Sequence, residues 1–388
     1  MKKRLYNTIA NAAIALAAIA FALVTGEIAF RTFDLTGVLP TSPHRLLTQY
    51  DPLLGWSKIP GKIGSHTTSE YSITERINSH GIRGPEYTYH KHDNEFRILI
   101  LGDSFAEGYT VEFDQLFSEI LKRDLNANAP RQYEIINTGT GGYSTDQELL
   151  LFQNQGKLYS PDLTILLFYF NDVWYNQTAM YWRGSKPMFE INQTDLMLTN
   201  VPMPQPNIES ASFFKKIKSW LSRNSYLYAA IRQVGQNMTS DHEVNDVMDH
   251  DFAVFKMPYD GRVATAWTVT EALIAQLKRE TTLAGSEFVV FYVPPRFSVY
   301  TDEWESIIQR YALPGELWNV EWPAVEVAGI CERVQIECIE PTAMFKAASA
   351  ELAARHERLY FVRDPHWTGK GHELVAEILL NYVRDIAD

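Results

Sequence analysis

The sequence predicts a domain of the α/β class, with a parallel sheet covered by helices on both faces. Short, continuous apolar runs follow one another along the chain, and amphipathic segments of helical periodicity separate them. The predicted strands are 97–101, 133–137, 163–170, 287–293 and 334–339. The predicted helices are 114–128, 145–157, 264–282, 322–333 and 370–386. The last helix follows Thr368, a residue type favoured at helix N-caps.

Length and composition limit the class of protein. The 388 residues are 46% hydrophobic and 21% charged, so the chain is long enough to bury a full core and too apolar to be disordered as a whole. The formal net charge of -12 argues against nucleic acid as a partner, because phosphate backbones require a basic face. The same charge repels anionic lipid, so a membrane contact requires a particular segment.

Residues 1–30 are predicted to be that segment. Basic residues at 2–4 precede an uncharged stretch at 5–26, which is long enough to span a membrane as a helix. Basic residues in front of the span predict a cytoplasmic N-terminus and an extracytoplasmic body. A cleaved signal peptide is the alternative, since 18–20 and 20–22 resemble small-residue cleavage sites. The anchor is favoured because the apolar stretch continues beyond both.

The rest of the chain divides into an extension, 31–94, and a main domain, 95–388. The extension is rich in Gly, Pro, Ser, Thr and His, and its stretches 70–74 and 88–90 are predicted to form a small β ribbon. In the main domain the alternation of strands and helices stops over 174–264, which is therefore predicted to be an insert.

The insert contains two features that bear on function. An amphipathic helix with a basic face is predicted around 213–233. The acidic run 241–251 includes two histidines, but its spacing fits no common metal site, so a solvated loop is the preferred interpretation.

Cys331 and Cys338 are the two cysteines of the chain. In an exported domain they would form a disulfide that closes a small loop. Two buried thiols, in a helix and in the following strand, are the equally weighted alternative. A zinc site is not predicted, because no histidine lies nearby to complete it.

A serine at the end of the first predicted strand is the first candidate for chemistry. Strand 97–101 runs directly into Gly102-Asp103-Ser104, at the sheet edge where α/β domains bind their ligands. Near the other terminus, Asp364-Pro-His366 supplies an imidazole with a carboxylate two residues before it. Such an imidazole takes the serine proton and returns it to the leaving group, while the carboxylate orients the ring. The three side chains together indicate nucleophilic acyl transfer.

Two further blocks follow predicted strands. The glycine-rich stretch from Asn137 to Ser144 brings backbone N–H groups within reach of a developing negative charge, and the amide of Asn171 offers another donor. Taken singly, the first is an ordinary turn and the second a polar strand end. In this order, with the serine and histidine blocks, they indicate one site.

The four blocks resemble those of the SGNH (GDSL-type) hydrolase superfamily, and the stretch from Asn78 to Gly84 resembles its membrane-anchored bacterial members. The resemblance implies a flavodoxin-like α/β/α sandwich. It implies Ser104 as nucleophile, His366 as base and Asp364 as the residue that orients the base. The oxyanion hole would consist of the N–H groups of Ser104 and Gly142 and the amide of Asn171. No metal or organic cofactor is implied.

The sequence departs from the superfamily pattern at two positions. Tyr169 stands where the third block usually has glycine. The usual Asp-x-x-His spacing would fall on Arg363, which cannot orient a histidine, so the shorter Asp364-x-His366 spacing requires a shifted backbone.

Three functions follow from these residues. The first is an exported serine esterase that hydrolyses acyl esters through an acyl-enzyme. The second is an O-acyltransferase that acetylates or deacetylates a cell-envelope polysaccharide, since Asp-x-His-Trp resembles the histidine block of relatives that handle O-acetyl groups. The third is a non-catalytic binding protein on a decayed fold. For the second, aromatic residues of the insert would stack on the sugar of an acylated carbohydrate or pack the insert onto the domain. These residues are Trp174, Tyr175, Tyr181, Trp182 and Phe189.

Overall fold

The computed structural model describes residues 2–32, 47–127, 129–193, 195–204 and 251–387, with a few single positions between 214 and 231. The strands are β1 (Thr48–Asp51), β2 (Gly55–Lys58), β3 (Ile63–Thr67), β4 (Ser72–Arg76), β5 (Glu95–Gly102), β6 (Gln132–Asn137), β7 (Leu163–Phe168), β8 (Met180–Tyr181), β9 (Gly184–Ser185), β10 (Met188–Asn192), β11 (Asp195–Thr199), β12 (Glu287–Tyr292) and β13 (Glu337–Ile339). The α-helices are α1 (Lys2–Thr32), α2 (Ser104–Glu107), α3 (Phe117–Asn126), α4 (Thr145–Asn154), α5 (Asn171–Tyr175), α6 (Gly261–Leu283), α7 (Arg296–Val299), α8 (Thr301–Arg310), α9 (Trp322–Val334), α10 (Thr342–Ala353) and α11 (Gly369–Ala387).

A sheet of five parallel strands forms the centre of the main domain, in the order β13-β12-β7-β5-β6. The predicted α/β class with a parallel central sheet is confirmed. Counted along the chain the order is 2-1-3-4-5, so the strand order reverses between β5 and β7. Every residue of β7 is buried, because helices cover both faces of such a sheet. In doubly wound sheets, ligands bind outside the carboxyl ends of the strands at this reversal.

Two sets of helices pack around the sheet. Helix α3 contacts the C-terminal helix α11, while α4 contacts α6, which in turn contacts α9. The five predicted helices are present, with ends that differ by a few residues. Helices α8 and α10 were not predicted. The cysteines at the end of α9 and in β13 form a disulfide, with Cα atoms 6.1 Å apart, which decides between the two alternatives.

The extension forms two antiparallel hairpins, β1-β2 and β3-β4. The predicted strand 70–74 overlaps β4, but 88–90 is not a strand. The first hairpin is fixed to the main domain by buried hydrogen bonds around Trp56: its Nε1 donates to the Gly141 carbonyl at 3.2 Å, and its own carbonyl accepts from the Tyr143 hydroxyl at 2.6 Å.

Residues 2–32 are helical, as predicted, but a membrane span is not found: within the described residues no helix is both long and apolar enough to cross a bilayer. The described part of the insert contains the hairpins β8-β9 and β10-β11. The helix predicted around 213–233 falls mainly, and the acidic run up to residue 250 wholly, outside the described residues.

Candidate active site

Ser104 is the first residue of α2, separated by one residue from the end of β5, which lies next to the central strand β7. The turn between them requires glycine, since Gly102 has a φ of +154° and a Cβ there would lie 2.7 Å from the Ala106 Cβ. Asp103 caps the helix through a 2.8 Å hydrogen bond that its Oδ1 accepts from the Phe105 N–H. This strand-turn-helix unit presents the Ser104 hydroxyl at the carboxyl edge of the sheet.

The structure brings Ser104, His366 and Asp364 together in one hydrogen-bonded line. The distance from Ser104 Oγ to His366 Nε2 is 2.7 Å, and that from His366 Nδ1 to Asp364 Oδ1 is 2.6 Å. The same Oδ1 accepts the His366 backbone N–H at 3.0 Å. The short Asp-x-His spacing therefore allows Asp364 to orient His366, because the Asp364 carboxylate contacts both the backbone N–H and the ring of His366.

Electrostatics keep Asp364 ionised. Burial acts to raise its pKa, but the neighbouring His366, its hydrogen bonds and the Tyr71 hydroxyl outweigh burial and hold the pKa well below its ordinary value. Tyr71 donates to Asp364 Oδ2 at 2.8 Å, and the Tyr109 hydroxyl lies 3.0 Å from His366 Nδ1. An ionised carboxylate favours the tautomer with the proton on Nδ1, which leaves Nε2 free to accept the serine proton.

The glycine-rich block forms a tight loop beside Ser104. Asn137 holds it from within, since its Oδ1 accepts from the Gly139 N–H at 3.0 Å and its Nδ2 donates to the Ala106 carbonyl at 2.7 Å. A Cβ on Gly141 would lie only 3.8 Å from the Ser104 Cβ. The Gly141 N–H is occupied by Glu107 Oε2 at 2.7 Å. Of the two adjacent glycines, Gly141, which lies next to Ser104, therefore has its N–H committed to an internal hydrogen bond.

Gly142, the predicted oxyanion donor, has a φ of +80°, and a Cβ there would meet the Tyr181 ring at 2.5 Å. Neither its N–H nor that of Ser104 donates a hydrogen bond to an acceptor in the described part of the chain. Ser104 opens a helix, whose first N–H groups have no partner within the helix. Both N–H groups thus remain available to a substrate oxygen.

Asn171 opens α5 at the carboxyl end of β7, the strand paired with β5 through Leu167 and Gly102. The structure thus places it at the neighbouring strand end, but no hydrogen bond joins it to Ser104 or His366 within the described residues. Its Oδ1 is buried without a hydrogen-bond partner there. Tyr169, at the usual glycine position, is buried with its ring centroid 4.7 Å from that of Phe105.

Sequence reasoning missed several residues that surround the triad. Glu70 and Tyr71 come from the turn between β3 and β4, and Tyr109 from the segment after α2. Arg183, in the turn between β8 and β9, has its Nη2 3.2 Å from the point where a Gly141 Cβ would lie, and that point is 3.8 Å from the Ser104 Cβ. None of the four belongs to a recognisable motif, so only the fold reveals them.

The aromatic residues singled out in the insert mostly pack. Trp174 is buried beneath the guanidinium of Arg262, and Tyr181 stacks on Trp56 with centroids 5.5 Å apart. Phe189 is also buried, whereas Trp182 is 49% exposed. Among the described residues no group of His, Cys, Asp and Glu side chains is arranged to hold a metal ion.

No protein-family model matches the sequence, and no curated protein matches it. Solved structures do. The crystal structure of TesA is 9% identical, covers 74% of this chain and 98% of its own length, and gives a TM-score of 0.40. A lipase/acylhydrolase from Enterococcus faecalis is 11% identical, covers 75% and 96%, and gives 0.40. A catalytic mutant of an acetylxylan esterase from Geobacillus stearothermophilus is 12% identical, covers 74% and 93%, and gives 0.38.

Proposed function

We propose that the protein is a serine hydrolase of the SGNH type that cleaves acyl esters through an acyl-enzyme on Ser104. The observation that carries the proposal is the line of hydrogen bonds from Ser104 Oγ through the His366 ring to Asp364, at 2.7 and 2.6 Å. Such a line converts an ordinary hydroxyl into a nucleophile.

In the proposed reaction, Ser104 Oγ attacks the ester carbonyl as its proton passes to His366 Nε2. The carbonyl oxygen becomes negative and accepts hydrogen bonds from the N–H groups of Ser104 and Gly142 and from the Asn171 amide. The carbon–oxygen bond to the alcohol then breaks, and His366 protonates the departing oxygen. Water, activated by the same imidazole, hydrolyses the acyl-enzyme and restores Ser104. Asp364 stabilises the imidazolium in both halves without taking its proton.

O-acyl transfer to a sugar is the second candidate, and one observation favours it. Trp182 is 49% exposed, with the Arg183 guanidinium 4.6 Å from its ring centroid, and it lies next to Tyr181, which contacts Gly142. An exposed aromatic face stacks well on a sugar ring. Product analysis with an acyl donor, in the presence and absence of a saccharide, distinguishes the two: an esterase releases free acid in both, and a transferase forms an acylated saccharide.

An extracytoplasmic location, with residues 1–30 as an anchor, is part of the proposal. The basic residues ahead of the apolar stretch support it. So does the disulfide between Cys331 and Cys338, since disulfides persist mainly in oxidising compartments.

The test is intact-mass spectrometry of the full-length protein incubated with a fluorophosphonate. The reagent phosphonylates an activated serine and releases fluoride. We expect one adduct on the wild-type protein, located at Ser104 by peptide mapping, and no adduct on Ser104→Ala or His366→Ala. Ser65→Ala, which removes an exposed serine of β3, serves as the matched control and should react like the wild type. A folded wild-type protein that gives no adduct, or an adduct independent of His366, would contradict the proposal.

A further inference from the structure

Glu70, in the turn between β3 and β4, binds the loop that carries Asp364 and His366. Its carboxylate accepts three successive backbone N–H groups: Val362 donates to Oε1 at 2.8 Å, Arg363 to both oxygens at 3.1 Å, and Asp364 to Oε2 at 2.9 Å. Hydrogen bonds of N–H groups to a charged carboxylate are stronger than those to neutral acceptors. One side chain of the extension thus fixes the main chain of the loop up to Asp364 itself.

Tyr71, the next residue, fixes the side chain of Asp364. Its hydroxyl donates to Oδ2 at 2.8 Å, while Oδ1 faces the His366 ring. The Tyr71 ring packs on Phe361 at 5.1 Å between centroids and on His66 at the same distance, which holds the hydroxyl in place. Burial raises the pKa of Tyr71 well above its ordinary value, so the hydroxyl remains a neutral donor.

Arg296 holds the same loop from the main domain. Its Nη1 donates to the carbonyl oxygens of Phe361 at 3.0 Å and Val362 at 2.8 Å, and its Nε donates to Glu303 at 2.7 Å. The N–H groups of the loop therefore bind a carboxylate of the extension and its C=O groups bind a guanidinium of the main domain. The backbone hydrogen bonding of the loop is completed by side chains, because it belongs to no helix or strand.

We propose that Glu70 and Tyr71 are positioning residues of the active site, so that the turn 68–71 of the N-terminal extension completes the triad. The inference rests on the proposed function. Glu70 fixes where the loop runs, and Tyr71 fixes the rotation of the Asp364 carboxylate about its side-chain bonds. Both determine whether Asp364 Oδ1 meets His366 Nδ1. They act through Asp364 and touch no substrate, so their loss should slow bond formation without weakening the binding of a reagent.

The experiment is the inactivation kinetics of the full-length protein by a fluorophosphonate, resolved into the binding constant KI and the rate constant kinact. For Tyr71→Phe, which keeps the ring, we expect kinact to fall about 10-fold, and for Glu70→Ala about 10- to 100-fold, because small displacements of catalytic groups are costly. KI should stay within about twofold in both, as befits residues that act on geometry rather than on binding. Glu70→Gln keeps one acceptor oxygen and should recover part of the loss seen in Glu70→Ala.

The extension offers matched controls. Glu86 accepts the Ser79 N–H at 2.9 Å, and the Tyr50 hydroxyl donates to the Met203 carbonyl; within the described residues neither side chain is hydrogen-bonded to the loop 361–366. Glu86→Ala and Tyr50→Phe should leave kinact unchanged.

If Tyr71→Phe and Glu70→Ala react as fast as a reactive wild type, or if a change in KI accounts for their slower reaction, the inference is wrong. If the wild type itself does not react, the proposed function fails first. Thermal unfolding of each variant identifies a loss due to misfolding, and Tyr71→Phe, which conserves the ring packing, decides the question if Glu70→Ala does not fold.

Discussion

Asn171 differs from Ser104, His366 and Asp364, because no hydrogen bond joins it to any of the three within the described residues. It lies at the end of the strand next to that of Ser104, and its buried Oδ1 has no hydrogen-bond partner among the described residues. An amide oxygen left without a partner costs free energy, which suits a side chain retained for a task rather than for stability. Donation to an oxyanion is such a task.

We therefore expect Asn171→Ala to lower kcat for a small aryl ester by about 10²- to 10³-fold, with little change in KM, since a lost oxyanion donor costs about 3 kcal/mol in the transition state alone. Steady-state kinetics measure the effect. Asn154→Ala, which removes an amide at the end of α4, is the control and should have wild-type kinetics. A near-normal kcat for Asn171→Ala would remove this residue from the site.

Residues of the site were predictable from sequence only where the chemistry lies in a short local pattern. Ser104 and the pair Asp364 and His366 are of this kind, because each stands in a motif at the end of a predicted strand or before a predicted helix. Tyr71 is not, since its partner Asp364 is 293 residues away. A single sequence carries no signal for a contact of that separation, and only the folded chain shows it.

Elements were predictable to the extent that they are buried. The strands β5, β6, β7 and β12 match their predicted ranges to within two residues because each contains a run of buried apolar residues. Helix α8 was missed, and none of its residues is fully buried, while α10 fully buries only Phe345. Helix α10 shows weak apolar periodicity, whereas α8 carries Trp304, Ile307 and Ile308 at helical spacing, so its apolar pattern is present in the sequence. Strand β13 begins three residues later than predicted, because α9 continues through Val334 to a left-handed cap at Gln335.

Helix α3 contains a carboxyl group whose titration should affect stability. Burial raises the pKa of Glu119 to about 7, with Lys122 opposing and Glu134 reinforcing the shift. The pKa in the folded state thus exceeds the unfolded value of 4.5. The stabilising contribution of the protonated group is complete below pH 4.5 and is lost as pH rises through 7.

Glu119→Gln, which cannot ionise, should therefore stabilise the protein more at pH 8 than at pH 5. The free energy of unfolding from urea titrations should increase by about 2 kcal/mol more at the higher pH, since each unit of pKa shift is worth about 1.4 kcal/mol. Glu305→Gln, on the exposed face of α8, is the control and should show no such dependence. An equal effect of Glu119→Gln at both pH values would mean that Glu119 titrates as an exposed carboxyl group.

At the scale of the whole molecule, two segments outside the central sheet are joined through buried lysines to the loop and helices beside the sheet. Lys58 of the extension donates to the Gly139 carbonyl and, at 2.9 Å, to Thr140 Oγ1 in the glycine-rich loop. Lys186 of the insert donates to Asp146 in α4 and, at 2.8 Å, to the Tyr175 carbonyl. The sequence predicted the extension and the insert as separate from the core. Such attachments were not predictable, because an isolated lysine reads as a surface residue.

The ion pair between Lys186 of the insert and Asp146 of α4 should contribute to the free energy of unfolding of the whole domain, because both side chains are completely buried. We expect Lys186→Met to lower the free energy of unfolding by about 3–5 kcal/mol, since it leaves an uncompensated charge or an unpaired carboxyl group in the core. The double variant Lys186→Met/Asp146→Leu should lose less than Lys186→Met alone, because no buried charge remains. Urea unfolding of Lys186→Met, Asp146→Leu and the double variant gives the coupling energy.

The exposed pair of Arg333 and Glu271 is the control, and Glu271→Gln should cost less than about 1 kcal/mol. Additive losses at Lys186 and Asp146 would show that the two groups do not depend on each other, and that the insert is held to the core by its apolar contacts instead.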